Sequence, residues 1–403
     1  MTNMEPIVII GAGPVGLITA LRLSQLGMRS IIIEKNKAIQ DELRASTFHP
    51  PTIEMLDELG VAEELISIGL KTKHWQFRVH ETGEKAVFDL GHIEQDTKYP
   101  FRLQAEQKEL CRIATKKAEM DDNIDLRMGH QLQDVTQKKE IVEITVTNKK
   151  QTKQKIEAPI LIAADGGSSK VRKIMGLELK GLTYPETTIL VATKFPFHEH
   201  ISGLSNVNYV WSSWGTYSLL RLPGIWRCSL YPDTGETIDR AITSESINEK
   251  LSRIVPDQKD FRVIEVRPYK IHQRILDKYV HGRVVFAGDA AHLNSPSGGM
   301  GMNGGIHDGW CLSERLKDIF LDGLPLTRLG LYSDQRQKIA ENEILKNAHK
   351  NRSRMQERDK AFRAAELERL KKIANDPKSS REFLLRSSMI KGLREIEKQI
   401  IQS

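Results

Sequence analysis

The chain has 403 residues, 39% hydrophobic and 28% charged, the balance of a globular enzyme long enough to form two lobes. Its formal net charge of +7 is spread along the sequence, rises toward the C-terminus and accompanies no nucleic-acid-binding motif, so a nucleic-acid partner is set aside. No apolar run approaches the ~20 residues that span a bilayer, no secretory signal opens the chain, and Cys111, Cys228 and Cys311 stand alone. An integral membrane segment, a disulfide framework and a zinc site are therefore not expected, and a cytoplasmic location is.

Residues 7–10 (Ile-Val-Ile-Ile) form an apolar run of the buried-strand type that leads into Gly11-Ala12-Gly13-Pro14-Val15-Gly16. An amphipathic helix follows over Leu17 to Leu26, with Gly27 as its stop, and Ser30 to Glu34 is the second strand. This βαβ unit places glycines where a pyrophosphate approaches a helix start. Glu34 falls 23 positions beyond Gly11, close to the ~20 expected for an acid that accepts from ribose hydroxyls. The Glu34 carboxylate favours an unmodified ribose, as in NAD or the adenosine half of FAD. Lys35 comes next, and then an arginine loop, Arg44-Ala-Ser-Thr47, with no third alternating strand. Such a loop suits a pyrophosphate or a second charged cofactor.

Residues 75–90 alternate like strands around a turn at Glu81-Thr82-Gly83. A helix beginning near Glu106 leaves Gln107 at its N-terminal end, placed to bond a ligand. Residues 124–146 read as strands again. Ala158 to Ala164 is a buried strand ending in Asp165-Gly166, with Ser168, Ser169 and Arg172 opening the next helix. A third acid-ended strand comes late: Val284-Val285-Phe286 stops at Gly288-Asp289, followed by Pro296, Gly298, Gly299, Gly301, Met302 and Asn303. Pro296 fixes the backbone and the glycines clear side chains from the path of a flat ligand, with the helix expected from about Asn303.

Together the three segments resemble the class A flavoprotein monooxygenases, the 4-hydroxybenzoate hydroxylase-like family. Gly11, Gly13, Gly16 and Glu34 match its first motif. Ala164, Asp165, Gly166, Ser169, Val171 and Arg172 match the second. Gly288, Asp289, His292, Pro296, Gly299, Gly301 and Asn303 match the third, and Arg44 and Gln107 fall where the family contacts FAD. The resemblance implies an α/β two-lobe fold. A Rossmann-like FAD-binding domain would come from residues 1–72, 99–176 and 276–345, a mostly antiparallel substrate domain from 73–98 and 177–275, and a helical tail from 346–403. It implies noncovalent FAD, with Glu34 on the adenosine ribose and Arg44 with the first helix on the pyrophosphate. Asp289 would meet the ribityl region, and Pro296 to Asn303 the isoalloxazine. NADPH or NADH would dock transiently as reductant, Asp165-Gly166 serving both FAD and this donor. The implied reaction is hydroxylation of a small phenolic or N-heteroaromatic substrate by O2 through a flavin hydroperoxide.

The substrate-lobe segment is rich in β-branched and aromatic residues, and Tyr209, Trp211, Tyr217, Arg221 and Pro296 are its candidate substrate contacts. His74, Tyr217 and Arg221 have the chemistry to orient a phenol, but no spacing singles out a catalytic base. In the tail, Leu385, Met389, Leu393, Ile396 and Ile400 make an apolar stripe that packs on the chain itself, a partner subunit in a homodimer, or a membrane. A ubiquinone-pathway hydroxylase or a flavin-dependent reductase is the alternative enzyme, and a flavin-bearing binding protein the non-enzymatic one. The Trp211-Ser-Ser-Trp214 sequence lacks the motif of tryptophan halogenases.

Overall fold

The computed structural model describes residues 5–148, 150 and 152–401, those from 396 onward by backbone alone. Its first layer is a six-stranded sheet. Across it run Val280–His281, Val284–Phe286, Leu161–Ala163, Ile7–Ile10, Ser30–Glu34 and Ile124–Met128, in that spatial order. The last five are mutually parallel. Strands buried on both faces read as continuous apolar runs. Ile7, Val8, Ile9, Leu161, Ile162, Val284, Val285 and Phe286 are accordingly all fully buried.

Parallel pairing brings the carboxyl ends of four adjacent strands to one edge. Along that edge the chain leaves the sheet at Glu34, Gly11, Asp165 and Ala287-Gly288-Asp289, in that order. Three inter-strand steps of about 4.8 Å separate the first column from the last, roughly 14 Å. Three segments far apart in sequence thus form one continuous rim.

Two helices pack against each other beside this edge, Pro14–Gln25 and Met300–Phe320. Their crossing is close because one partner offers glycines. A Cβ at Gly305 would stand 2.6 Å from Val15 Cγ2, and one at Gly309 2.1 Å from Thr19 Oγ1. The longer helix starts at Met300 rather than at Asn303, because Gly299 takes the left-handed conformation (φ 68°) as its N-cap.

The second lobe is an eight-stranded sheet in the order His292–Leu293, Val263–Ile275, Lys180–Thr193, Ile225–Leu230, Gly215–Leu222, Val207–Ser212, His74–Val79 and Lys85–Asp89. All pairings are antiparallel except that of Val207–Ser212 with His74–Val79. Residues 74–89 and 180–275 thus share one sheet. The long strand Val263–Ile275 has no clear alternation of apolar residues in the sequence; six of its thirteen residues are charged or carry polar amide or imidazole groups.

The tail forms the helices Lys346–Gln356, Lys360–Asn375, Pro377–Ser387 and Ile390–Ile401. The side chain of Asp376 caps the third by accepting from Ser379 N at 2.7 Å. Met355, Leu367, Leu370 and Leu384 join Trp75, Phe77, Phe88 and Trp211 in a single apolar cluster. Phe383 stacks on Phe88 at 4.5 Å, and the nearly buried Asp96 pairs with Arg381 and Arg394 at 2.6 and 2.8 Å. Of the apolar stripe, Leu385, Met389 and Leu393 pack on the chain's own cores; the side chains of Ile396 and Ile400 lie outside the described residues. Among the described residues no helix is long and apolar enough to cross a membrane.

Candidate active site

The rim of the parallel sheet opens into one cavity of about 1060 Å³ that continues onto a face of the eight-stranded sheet. Single-ligand pockets run to about 300–1,000 Å³, so the space suits a large cofactor together with a small molecule.

At the first end of the rim, the Glu34 carboxylate accepts from Ala12 N at 2.9 Å and from Asn36 N at 2.8 Å. Each oxygen keeps a second lone pair for a hydroxyl of a ligand. Lys35 stands exposed at the margin. Gly11, Gly13, Pro14 and Val15 form the adjoining wall. Gly16 does not touch the cavity. A Cβ there would lie 2.0 Å from Gly11 O, so its bareness lets the helix sit directly on the turn. At Gly13 a Cβ would meet nothing, which marks an open cradle. The helix Pro14–Gln25 has no side-chain cap, and neither does Met300–Phe320. Two sets of first-turn amides therefore face the cavity unclaimed, a site for anionic or electron-rich atoms.

In the middle of the rim, Asp165 Oδ2 accepts from Lys170 N at 2.6 Å and Val171 N at 3.2 Å. Its Oδ1 is buried without a partner. Burial pushes this carboxyl above the usual range, opposed by the hydrogen bonds it accepts. Arg172 ties the middle loop to the last one, donating to Gly167 O at 2.5 Å and Ala290 O at 2.9 Å. The side chain of Asp289 opens onto the cavity. Burial raises its pKa, while His292 and Arg44 pull it back down.

Beneath Asp289 is a buried ionic cluster that the sequence reading did not assign. Asp308 accepts from Arg336 Nε at 2.6 Å, His292 Nε2 at 2.9 Å and Gly288 N at 2.9 Å. All three side chains are fully buried. Despite burial, the charges of Arg336 and His292 hold the Asp308 carboxyl at about 2. The cluster fixes the left-handed Gly288 turn (φ 61°) from which Asp289 projects.

Pro296, Gly299, Gly301 and Met302 line the cavity, as do Arg44 and Gln107. The Arg44 guanidinium is paired with Glu42 at 2.7 Å. Asn303 lies behind the wall, fully buried. Its side chain accepts from His49 N at 2.9 Å and donates to Thr47 O and Gly299 O at 2.8 and 2.6 Å. It shapes the loop and does not border the cavity.

The substrate face is built by alternate residues of neighbouring strands: Thr188 and Leu190, Tyr209, Ser218 and Leu220, Arg227 and Ser229, Tyr269 and Ile271. Tyr231 and the tail's Met355 complete it. Three of the expected contacts require correction. Tyr217 and Arg221 fall on the opposite face from Ser218 and Leu220. Although Tyr217 touches the cavity margin, its ring packs in the far core, stacked on Trp214 at 5.4 Å, with its hydroxyl on His80 Nδ1 at 2.8 Å. Arg221 instead meets His198 Nε2 at 3.0 Å. Trp211 shares the face of Tyr209, but the tail covers that end, and its indole donates to Arg354 O at 3.0 Å. His74 is exposed beside Asp89, away from the cavity.

Sequence reasoning also missed Arg227, which clamps the lobes together by donating to Glu106 Oε2 and Arg44 O. Tyr231 and Tyr269 also line the cavity. Burial pushes both phenols up, so they remain proton donors at neutral pH, with Thr188 close to each.

These features fit a noncovalent FAD: an open glycine cradle, two uncapped helix starts, an acid for ribose and an orphaned carboxylate oxygen. Residues 4–347 match the family model described as FAD binding domain. The chain is 31% identical over 406 aligned positions to para-nitrophenol 4-monooxygenase of Pseudomonas sp. strain WBC-3, covering 99% of each. It is 29% identical to 6-hydroxy-3-succinoylpyridine 3-monooxygenase of Pseudomonas putida strain S16, covering 85% of this chain and 86% of that protein. The crystal structure of p-nitrophenol 4-monooxygenase from Pseudomonas putida DLL-E4 superposes with a TM-score of 0.88 at 30% identity, over 95% of this chain and 97% of that one.

Proposed function

Given that this chain belongs to the FAD-binding-domain family of flavoprotein aromatic monooxygenases, we propose that it hydroxylates a small phenol or hydroxylated N-heteroaromatic with NAD(P)H and O2. The single observation that carries this reading is the continuity of the cavity. One space joins the acid- and glycine-lined rim to a sheet face that carries tyrosines, serines and aliphatic side chains. The two relatives named above are, by name, monooxygenases of a nitrophenol and a hydroxypyridine, which supports the ring chemistry.

Each group at the site has an assigned task. Glu34 would bind the adenosine ribose, and the Gly11–Gly13 turn with the first helix would hold the pyrophosphate. Asp289 would receive ribityl hydroxyls, and Asp165 fixes the loop between them. Amides of Gly301 and Met302 would stabilise negative charge on the flavin. When bound, FAD supplies two-electron reduction by NAD(P)H and the activation of O2 for transfer of one oxygen atom to the ring. The protein's part is to position the ring and keep water out. Leu190, Leu220, Ile271 and Met355 exclude water around the ring, and Tyr231 and Tyr269 donate hydrogen bonds to its oxygen substituents. A cytoplasmic location accords with the supply of NAD(P)H and with three unpaired cysteines.

The proposal is tested by NADH and NADPH oxidation across a panel of phenols and hydroxypyridines, scoring peroxide and product mass together. Stimulated oxidation with a product one oxygen heavier is expected. Stimulation that yields peroxide alone with every ring tested would contradict it.

A further inference from the structure

Arg102 begins the short strand Arg102–Gln104 and borders the cavity beside Tyr209 and Gly298, yet it is only 2% exposed. Its guanidinium lies over the Trp75 ring at 4.6 Å, and its Nε has no hydrogen-bond partner. Among the described residues no carboxylate pairs with it. Arg227, on the same wall and 4% exposed, is by contrast neutralised by Glu106. The nearby imidazole of His49 supplies no compensating charge. Burial first, and then the Arg102 charge, push it down to about 3, and its Nε2 is engaged with Gly298 O at 2.9 Å.

A guanidinium stays charged under all ordinary conditions. Buried cations are rare unless paired, so this one calls for a counter-charge. Behind it lies a crevice of about 20 Å³ between Trp75, Asn351, Phe383 and Ser387, room for one water and no anion. Among the described residues, the space beside Arg102 with room for a counter-charge is the main cavity, on the substrate side.

We propose that Arg102 is the anion anchor of the substrate chamber, pairing with a phenolate or carboxylate oxygen of the aromatic and selecting ionised rings over neutral isosteres. The inference rests on the aromatic-hydroxylase reading and goes beyond it by naming the charge of the substrate and the residue that reads it.

The test is a binding titration, followed by flavin absorbance, of the FAD-loaded protein and its Arg102→Met and Arg102→Lys variants. The probes are two charge pairs: 4-hydroxybenzoate with 4-hydroxybenzamide, and 4-nitrophenolate with 4-nitroanisole. The unmodified protein is expected to prefer the anion of at least one pair by about 10-fold or more. Arg102→Met abolishes that preference by weakening the anion about 10- to 100-fold, with a far smaller change for the neutral partner. Arg102→Lys restores part of it, which separates loss of charge from loss of packing on Trp75. Survival of the preference in the methionine variant overturns the assignment. So does an unmoved preference accompanied by a lowered flavin reduction potential, which would give the guanidinium to the flavin instead. Equal binding of anionic and neutral rings sinks the anchor alone and leaves the hydroxylase standing. Failure of every aromatic to bind sinks both.

Discussion

Replacing Asp308 with asparagine removes one charge from a fully buried cluster and changes almost nothing in volume. The asparagine retains one oxygen for either Gly288 N or Arg336, but not the charge that balances the guanidinium. Arg336 Nη1 already lacks a partner, and Gly304 O at 3.1 Å would be left as its main acceptor. Breaking one side of a buried ion pair costs about 3–5 kcal/mol, most of it the uncompensated charge that remains. At about 2.1 cal/mol/K per residue, the unfolding entropy of a chain this size is near 0.85 kcal/mol/K. The melting temperature should therefore fall by roughly 4–6 °C if the chain unfolds as one unit.

The sign with pH follows from the depressed carboxyl. A group whose pKa is lowered by folding contributes fully above its unfolded value, and the contribution fades as pH falls toward the folded value. The gap between parent and variant should hold constant from pH 5 to 8 and close below about pH 4, toward the folded value of about 2. The assay is thermal unfolding of the FAD-loaded proteins, with Asp334→Asn as control, an exposed helical aspartate. Pairing Asp308→Asn with Arg336→Met removes the orphaned charge and should recover most of the loss. A single-variant shift no larger than that of Asp334→Asn, or no recovery in the pair, would refute the reasoning.

Gly16→Ala forces a methyl to within 2.0 Å of Gly11 O, a backbone atom with nowhere to go. It should destabilise by about 2–3 kcal/mol in denaturant unfolding and yield flavin-poor protein. Asp289→Ala should weaken FAD about 10- to 100-fold in a flavin fluorescence titration, because a hydrogen-bonding carboxylate is lost from the rim; full flavin retention would contradict its assignment. Met355→Ala opens the water-excluding wall from the tail side. The peroxide formed per NAD(P)H consumed should rise, and an unchanged ratio would remove the tail from the chamber's function.

What the sequence made legible was the rim. Each of its three segments carries local signals that survive without tertiary information: a short apolar run, an abrupt glycine turn and an acid at the strand's end. Parallel pairing then does the rest, since it puts every strand's carboxyl end on the same side. The substrate face was much less readable. Side-chain direction in a strand has a period of two, so a choice between Tyr217 and Ser218 is a choice between opposite faces. Both faces of this sheet are covered, one by the cavity and one by a core containing Leu219, Cys228 and Trp226. The polarity of the residues therefore does not say which set faces inward. Trp211 was lost for a different reason: it points the right way, but helices more than a hundred residues later in the chain close over it. Arg102 carries no motif at all. Its significance lies in the lack of a carboxylate around it among the described residues, which only the folded chain reveals.

The most direct test of the central claim is turnover under isotopically heavy dioxygen. FAD-loaded enzyme, NAD(P)H and a stimulating aromatic are incubated under that gas in ordinary water, and the product's mass is read. A flavin monooxygenase places one heavy oxygen atom in the product, one for each NAD(P)H consumed in coupled turnover. Product oxygen drawn from water, or heavy oxygen recovered only in peroxide with every aromatic that stimulates oxidation, would contradict it.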